Sequence, residues 1–592
     1  MSYLNELCRF YERMADHADS GMPPDGMTAE QIAFALVISE SGQLVSVADM
    51  RDSKSRPRRL FVPARVARSS NVLSNFLWDN TGYVLGVDGK GKSAQTQKTA
   101  AAFRELHERL LGGCDDVHAR ALLAFLGQWT PERFAALDER EALLDSNVVF
   151  RLEGESIFLH EAPALQEIWS AARKGNEKSE RSEGICLVTG KRGAIARTHP
   201  VVKGVAGAQS SGASLVSFNC PAFESYGKEQ SFNAPVSTQA ADRYVCALNY
   251  LLNREHRQTV RIADTSMVFW ADAPVPEESG LADLFDLASP REDAQDRELV
   301  ERLKSVLLAL RRGISLNEAD ATLSPGVRFF VLGLAPNAAR LSVRFWLCSS
   351  LEVLLRQCSR WYEDLSIERQ FPDKEPEFPP LWQLLERTVA IPGKQKAVPP
   401  ELGGQMSRAM LTGGRIPESA FAAVLGRIHA DRDDGKTRKI DYFRAALIKA
   451  YLRRNKHEEK DMTTLNADES NIGYRLGRVF ALLEKAQRDA LGKDINAPLR
   501  ERYIGAASAT PRRVFPMLFR LAQHHVSKAR KTKFSGYDIQ FNQRVGELLA
   551  DAQDFPAVLS LEDQGRFMLG YYHQNNALYA RKDDAPDAGE QE

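Results

Sequence analysis

The sequence predicts an α+β protein: a mixed α/β N-terminal region followed by an all-α C-terminal helical bundle. In roughly the first 370 residues, short apolar runs typical of strands alternate with helical periodicity. After a segment rich in proline and glycine, the strand signals nearly vanish. With 43% hydrophobic and 26% charged residues, the 592-residue chain has the composition of a folded protein of about two to four domains.

The N-terminal region, residues 1–371, interleaves strand-like and helical segments. The predicted strands are Ile32–Ser39, Tyr83–Val87, Met267–Trp270 and Phe329–Leu334. The predicted helices are Thr99–Leu111, Val117–Leu126 and Ala240–Asn253. Ala172–Gly184 is almost entirely charged or small, so we expect an exposed connection there.

The Pro/Gly-rich segment 372–404 is the main predicted connection, interrupted by a short helical piece at Leu381–Val389. Helical signals then run from about Pro417 to Tyr579, which predicts a bundle over residues 405–580. The polar residues 581–592 predict a disordered tail.

Bulk charge and cysteine usage narrow the class of protein. The 78 Lys and Arg residues balance the 78 Asp and Glu residues, so a nucleic-acid surface would need local segregation of charge. The 7 cysteines include no CxxC pair, which argues against a disulfide framework or a cysteine zinc site. The N-terminus lacks the apolar core of a signal peptide, and we expect a cytoplasmic protein without a membrane span.

The clearest segregation of charge lies in Ala507–Lys533, which contains seven Lys and Arg residues and no Asp or Glu. At 100° per residue, Phe515, Leu518, Phe519 and Ala522 would form one apolar stripe of a helix. Arg513, Arg520, His524 and Lys528 would lie opposite, and Arg512 lies nearby. Since a merely solvated face normally mixes both signs of charge, we predict a phosphate-binding face.

Two further segments are rich in cations. Arg51–Arg68 carries seven Lys and Arg residues against Asp52 alone. Arg427–Lys456 carries ten against four Asp residues, with Arg444 and Arg453 within or beside the apolar run Tyr442–Tyr451. The second segment predicts another backbone-binding face, but the neighbouring aspartates leave an ordinary solvated face as a strong alternative.

A polar run, Arg68–Asn80, directly follows the first basic segment. Asn71, Asn75 and Asn80 carry amides that can address base edges, and Phe76 could act as a wedge between base steps. The alternative is a capped turn whose aromatic side chains lie in a core. The residues themselves leave these two interpretations open.

A second polar run, Thr198–Gln230, contains several glycines with Lys203, Gln209 and Ser210 among them. Such a loop allows close approach of a backbone and is a second candidate for duplex contact. Its spacing matches neither a Walker motif nor a dinucleotide fingerprint.

Motifs that carry covalent chemistry are not evident. None of the 11 histidines lies in HExxH, HxxxH or HD spacing, and no GxSxG motif occurs. The densest acidic cluster, Asp431, Asp433 and Asp434, lies in a polar turn and keeps a metal-dependent nuclease open as a minor alternative. We predict a non-enzymatic protein with no catalytic residue, no metal and no cofactor.

Several long blocks resemble one family. The block from Cys186 to Ser237 includes HPVVKGVAGAQSSGASLVSFNCPAFESYGKEQ and resembles the large subunit of type I-C CRISPR interference complexes (Cascade). The other similar blocks are RSSNVLSNFLWDN, LGLAPNAARLSVRFW, NIGYRLGRVFALLEKAQ and YIGAASATPRRVFPMLFRLAQHH. They occur in the family's order and span most of the chain.

The resemblance implies a DNA-binding, crRNA-guided role without cleavage. The N-terminal region would contact the protospacer-adjacent motif (PAM) in duplex DNA, and the helical bundle would stabilise the R-loop by holding the displaced strand. From residue chemistry we assign the PAM contact to Asn71, Asn75, Phe76 and Asn80, with Lys203, Gln209 and Ser210 as second candidates. On the same basis we assign the displaced strand to Arg444, Arg453, Arg512, Arg513, Arg520 and Lys528.

The implied partners are target double-stranded DNA and the crRNA-containing subunits, namely the backbone filament and the PAM-side subunit at the crRNA end. The resemblance also implies a recruited helicase–nuclease and a small subunit made from an internal start. Met462 precedes the helical blocks, and we expect it to be that start. A scaffold that binds crRNA and neighbouring subunits is the alternative function.

Overall fold

The computed structural model describes residues 2–17, 20–65, 72–89, 93–179, 183–272, 284–285, 287, 294–320, 326–390, 398–433, 438–458, 461–492, 495, 498–550, 552 and 554–579. Two compact units divide the chain. The first unit comprises Met1–Gly204, Ala208–Tyr250 and Asn337–Leu341, and the second comprises Val205–Gly207, Leu251–Pro336 and Ser342–Glu592. Among the described residues, no helix combines the length and apolarity needed to cross a membrane.

The first unit mixes strands and helices. Its strands are β1 (Met27–Ile32), β2 (Phe34–Ile38), β3 (Leu44–Asp49), β4 (Arg58–Pro63), β5 (Trp78–Asn80), β6 (Asn147–Leu152), β7 (Glu183–Ile185) and β8 (Arg192–Ala194). Its helices are α1 (Tyr3–Ala15), α2 (Thr81–Val84), α3 (Ser93–Leu111), α4 (Val117–Gln128), α5 (Arg140–Leu143) and α6 (Pro163–Ser179). Helix α7 (Thr238–Leu251) also belongs to the first unit, except for its last residue, Leu251.

A four-stranded sheet of order β3-β2-β6-β5 organises the first unit. Strand β2 pairs parallel with β6, with Phe34 opposite Val148, and antiparallel with β3. All five residues of β2 are buried, as expected for a continuous apolar run in a central strand. Phe103 of α3 and Leu122 of α4 belong to the same core cluster as Phe34, so these helices cover the sheet.

The second unit begins with strands and continues as helices. Its strands are β9 (Thr259–Ile262), β10 (Thr265–Ala271), β11 (Arg328–Asn337) and β12 (Arg340–Ser350), in a sheet of order β12-β11-β10-β9. Its helices are α8 (Ala294–Arg311), α9 (Leu316–Ala319), α10 (Leu351–Leu365), α11 (Leu381–Glu386), α12 (Pro400–Thr412), α13 (Glu418–Ala430), α14 (Tyr442–Lys456), α15 (Ile472–Leu491), α16 (Leu499–Ala509), α17 (Pro511–Thr532), α18 (Tyr537–Leu549) and α19 (Leu561–Tyr579).

Helices α15 and α19 cross each other at close range. A Cβ atom on Gly477 would lie 2.0 Å from the Phe567 carbonyl oxygen, and one on Gly570 would lie 2.0 Å from the Tyr474 carbonyl oxygen. Two glycines therefore let the two backbones touch. Helix α17 packs on α15 through the main core cluster of the second unit, to which Phe515, Leu518 and Ala522 belong.

The predicted α+β fold class is confirmed, with two local corrections. The predicted strand Tyr83–Val87 is wrong, because Thr81–Val84 forms helix α2, capped by the Asn80 side chain. The Ala172–Gly184 segment is not wholly a connection, since α6 continues to Ser179. Its arginines, lysines and glutamates are good helix formers, and their polarity misled the prediction.

The Pro/Gly-rich segment 372–404 lies inside the second unit and includes α11 and the start of α12. One core cluster runs from Ile262 to Tyr572, on both sides of this segment. A functional boundary at residues 372–404 stays a prediction. The tail predicted for residues 581–592 lies outside the described residues.

Candidate nucleic-acid interface

Helix α17 is amphipathic in the way that the sequence predicts. Thr510 precedes it and Pro511 occupies its first turn, where the missing N–H costs no helical bond. The buried residues are Pro511, Val514, Phe515, Leu518, Ala522, Val526 and Ala529. Arg513, Arg520 and Lys528, here called the α17 basic face, are all exposed, and His524 is exposed among them.

The charges of the α17 basic face are not used inside the fold. Within the part of the chain that the structure describes, Arg513, Arg520 and Lys528 make no salt bridge and no side-chain hydrogen bond. The flanking cations differ: Arg512 pairs with Asp554 at 2.7 Å, and Arg530 pairs with Asp538 at 3.2 Å. Three unpaired cations on one helix can approach phosphates without breaking an internal contact.

The α17 surface also carries apolar side chains that the sequence interpretation did not assign. Met517 and Leu521 are each 37% exposed; Met517 lies four residues after Arg513 and three before Arg520, and Leu521 lies four residues after Met517. Cations beside apolar side chains suit a single strand, whose phosphates and base faces are both accessible. A helical projection that included the exposed apolar residues would have found this surface.

Helix α14 uses its cations internally. Arg444 is fully buried: its guanidinium lies 2.5 Å from the Asp431 carboxylate and donates to the carbonyl oxygens of Lys439 at 2.9 Å and Arg387 at 3.2 Å. Arg453 pairs with Glu363 at 2.5 Å and with Asp364 at 3.3 Å. These contacts give Arg444 and Arg453 structural roles, and the structure does not place Arg444 on any surface.

Lys449 of α14 also contacts other parts of the fold and not solvent. Its ammonium donates to the carbonyl oxygens of Glu363 and Asp364, both at 3.2 Å, at the end of α10. Burial, helped by the positive charge of Arg453, lowers the pKa of Lys449 to about 8. Lys449 and Arg453 of α14 therefore hold the end of α10 by contacts inside the fold.

The Arg68–Asn80 run is a folded turn in its described part. Asn71 lies outside the described residues. Asn75 is buried and its backbone N–H donates to Asp79 at 3.0 Å, while the Asn80 side chain accepts from the Gly82 N–H at 3.0 Å to cap α2. Asn75 and Asn80 thus support the turn.

Phe76 is fully buried in a ring stack. Its ring centroid lies 5.4 Å from that of His107 and 5.3 Å from that of Trp169, each at an interplanar angle of 8°. His107 is itself fixed: its Nε2 accepts from the Leu77 N–H at 2.9 Å, and Nδ1 lies 2.7 Å from the Phe103 carbonyl oxygen. In this arrangement Phe76 packs in the core and presents no wedge to solvent.

The second polar run presents its candidates differently. The Lys203 ammonium pairs with Glu30 at 2.8 Å, and its backbone N–H donates to Asn249 at 2.8 Å. Gln209 and Ser210 are exposed at a turn that the Gly212 N–H closes on the Gln209 carbonyl oxygen at 2.9 Å. Gln209 and Ser210 therefore keep side chains that a duplex could reach, whereas Lys203 is partly neutralised.

The first basic segment is only partly paired. Arg51 forms a salt bridge with Asp49 at 2.7 Å, and Arg56 forms one with Asp52 at 2.8 Å. Lys54 and Arg58 are exposed at the turn between β3 and β4. This turn gives the first unit a cationic surface of its own.

The aspartates of the acidic turn are engaged with cations. Asp431 pairs with Arg444 and also lies 3.5 Å from Arg427. Asp433 pairs with Arg500 and accepts from the Lys439 N–H at 2.7 Å, whereas Asp434 lies outside the described residues. Among the described side chains, no group of three or more His, Cys, Asp or Glu residues is arranged to hold a metal ion.

Comparison with known proteins gives the class of the molecule. A family model described as CRISPR-associated protein (Cas_Csd1) matches residues 7–579, nearly the whole chain. A search of curated proteins finds no match. The fold and the match together define a CRISPR-associated protein with an α+β architecture.

The chain belongs to the Csd1 family, the large subunit of type I-C CRISPR systems, and the predicted resemblance is thereby confirmed. Family membership is compatible with a subunit that performs no catalysis of its own.

Proposed function

We propose that this chain is the DNA-binding large subunit of a crRNA-guided surveillance complex, which contacts the PAM duplex and holds the displaced strand of the R-loop. The observation that carries the proposal is the α17 basic face, three exposed cations that form no ion pair among the described residues, on a helix whose segment contains no acid. Such a face binds a phosphate backbone whatever its sequence, because affinity comes from counterion release.

The energetics of R-loop formation make such a face useful. Replacing a DNA duplex by an RNA–DNA hybrid is nearly balanced in free energy, so modest protein contacts to the displaced strand tip the exchange. Arg513, Arg520 and Lys528 would contact its phosphates, with Met517 and Leu521 packing against its bases. Arg512 can join only by leaving Asp554, an exposed partner whose loss costs little.

We assign PAM contact to the first unit. Gln209 and Ser210 offer exposed donors and acceptors, and Lys54 and Arg58, which are exposed in another part of the same unit, offer phosphate contacts. Asn71 remains a candidate for base contact. Asn75, Phe76 and Asn80 would act indirectly, by holding the turn that follows Asn71, and Lys203 would act only after release from Glu30.

The complex would then recruit a separate helicase–nuclease that carries out cleavage. A small subunit started at Met462 would contain α15 to α19. In the full chain Met462 is buried in the main core cluster. Mass spectrometry of the native complex tests this: a C-terminal fragment beginning at Met462 supports the internal start, and a complex without one counts against it.

The decisive experiment measures target-DNA binding by the reconstituted complex with and without this chain, across randomised flanking motifs and at two salt concentrations. We expect motif-dependent binding only when the chain is present. Charge reversal at Arg513 and Arg520 should weaken binding to all targets alike and reduce the salt slope by about two, because each phosphate contact contributes about one.

The matched control reverses two exposed arginines of α8, Arg297 and Arg311, which change the net charge equally. An identical salt slope for both double variants would remove α17 from the DNA path. Motif preference that survives without the chain would favour the alternative, a scaffold for crRNA and neighbouring subunits. Crosslinking of α17 to crRNA instead of DNA would support that alternative directly.

A further inference from the structure

The turn between α17 and α18 carries an exposed aromatic ring that the proposed DNA contacts leave unassigned. Phe534 lies in this turn, and its side chain is 49% exposed. The Tyr537 N–H donates to the Phe534 carbonyl oxygen at 3.2 Å, which closes the turn. A single exposed apolar side chain is ordinary on a protein surface, so its meaning depends on what holds it and on the charges near it.

The Phe534 ring rests on a fixed support. Its centroid lies 5.5 Å from that of Tyr537, at an interplanar angle of 57°, and a Cβ atom on Gly536 would lie 3.8 Å from the ring. Tyr537 is buried in a small core cluster with residues of α15 and α17, and its hydroxyl donates to Asp489 at 2.9 Å. Lys485 holds the same carboxylate at 2.5 Å and 2.7 Å. The ring is therefore supported from inside the bundle, while about half of its surface stays accessible.

The charges that precede Phe534 in the chain are positive. Lys528, Lys531 and Lys533 are all exposed, and among the described residues their side chains form no ion pair and no hydrogen bond. The next acid after the ring, Asp538, is paired with Arg530 at 3.2 Å. Free cations together with an exposed aromatic ring are the combination that binds single-stranded nucleic acid without regard to sequence.

The α17 basic face leads toward this turn. From Arg513 to Lys528 the helix rises about 22 Å, a distance that spans several nucleotides of a single strand. The helix ends two residues before Phe534, so the ring lies at the C-terminal end of the face. Met517 and Leu521 offer aliphatic contacts along the face, whereas Phe534 adds an aromatic one. A strand that follows the cations of α17 would therefore meet a stacking surface at the end of the helix.

We propose that Phe534 stacks on a base of the displaced DNA strand, at the point where the strand leaves the α17 basic face. Lys531 and Lys533 would contact the phosphates next to that base. Stacking adds affinity without reading the sequence, because every base has an aromatic face. The inference rests on the proposed function, since it extends the path of the displaced strand that the α17 basic face begins.

The first test titrates the full-length chain with an oligothymidylate and with an abasic oligonucleotide of the same length, followed by fluorescence anisotropy. Both strands carry the same phosphates, and only the first has bases. Phe534→Leu keeps an apolar side chain and removes the ring. We expect it to weaken the thymidylate strand at least about fivefold, the lower end of what one stacked base contributes, and to leave the abasic strand and the salt slope unchanged. Phe534→Trp, which keeps a ring, should bind both strands like the unmodified chain.

Ile539→Ala on α18 is the matched control, since Ile539 is apolar and 70% exposed but has no ring. The inference is overturned if Phe534→Leu weakens both strands alike, if it weakens neither, or if Ile539→Ala has the same effect. When Phe534→Leu has no effect and charge reversal at Arg513 and Arg520 still lowers the salt slope, this inference alone fails. A salt slope that the charge reversal leaves unchanged removes the proposed function, and this inference with it.

The second test needs no substitution and identifies the strand. In the reconstituted complex, iododeoxyuridine is placed along the displaced strand or iodouridine along the crRNA, and peptide mass spectrometry locates the crosslinks that form on irradiation. We expect Phe534 to crosslink to the displaced strand. A crosslink of Phe534 to the crRNA, or the absence of one to the displaced strand, would overturn the assignment.

Discussion

Helices α14 and α17 carry the same signal in the sequence and use it in opposite ways. Both concentrate Lys and Arg around an apolar stripe. In α14 the cations turn inward, where Arg444 meets Asp431 and Lys449 meets the end of α10. In α17 the described cations Arg513, Arg520 and Lys528 stay in solvent. Acids supplied by other segments make the difference: they reach the central cations of α14, whereas the described acids near α17, Asp554 and Asp538, pair with Arg512 and Arg530.

A cluster of cations can serve as a binding surface only where the fold has not already neutralised it. Asp431 lies thirteen residues before Arg444, so that pairing was within reach of the sequence. The partners of Arg453, Glu363 and Asp364, come from a helix ninety residues away and could be found only in the folded chain. Four predictions test this difference between α14 and α17.

The largest effect is expected from Arg444→Ala. Removing this guanidinium leaves the Asp431 carboxylate buried without its main partner, which typically costs about 3–5 kcal/mol in the free energy of unfolding. Chemical denaturation of the full chain, followed by circular dichroism, measures the change.

The control for Arg444 replaces both partners, Asp431→Leu with Arg444→Met. Because an apolar pair leaves no charge buried, this variant should recover much of the lost stability. If Arg444→Ala instead keeps full stability and lowers DNA affinity, α14 is a binding helix after all, and the contrast with α17 disappears.

The second prediction concerns the crossing that supports α17. Gly477→Ala places a methyl group where the Phe567 carbonyl oxygen lies, so α15 and α19 must separate. Overpacking of this kind costs about 1–3 kcal/mol in the free energy of unfolding, measured by urea denaturation.

Gly546→Ala on α18 is the matched control, since nothing lies within 4 Å of its added Cβ. There the same substitution should stabilise the protein by about 0.5–1 kcal/mol, because alanine favours the helix. Equal effects of the two substitutions would mean that α15 and α19 do not touch as closely as the structure places them.

The third prediction is that the free energy of unfolding depends on pH through Lys449 of α14. The pKa of Lys449 is about 8 in the folded chain and near 10.5 in the unfolded chain, so between these values the unfolded state binds more protons. Stability contributed by this group therefore rises as the pH goes from about 8 to 10.5, by up to about 1.4 kcal/mol per unit.

Urea denaturation between pH 7 and pH 10 measures this slope, and Lys449→Met isolates it. The difference between the two proteins should be flat below pH 8 and change above it. A slope that Lys449→Met leaves unchanged would contradict the internal role of Lys449.

Some elements of the fold can be predicted from the sequence and others cannot. Phe34–Ile38 was predictable as a strand because a short apolar run suits a central strand, and the α17 stripe was predictable because helical periodicity is local. Tyr83–Val87 was not, because a cap from Asn80 decides its conformation. The burial of Phe76 could not be decided from the sequence, because its stacking partners, His107 and Trp169, come from two remote helices.

The smallest change in the free energy of unfolding is expected from Arg520→Ala, which therefore contrasts most strongly with Arg444→Ala. Arg520→Ala should change the free energy of unfolding by no more than about 0.5 kcal/mol, the range for exposed substitutions without partners. Arg512→Ala, which removes a surface pair with Asp554, should cost slightly more, up to about 1 kcal/mol. If Arg520→Ala destabilises the chain as Arg444→Ala does, its guanidinium serves the fold. If it leaves stability unchanged and reduces the salt slope of DNA binding, its charge is available to a partner, as the α17 basic face requires.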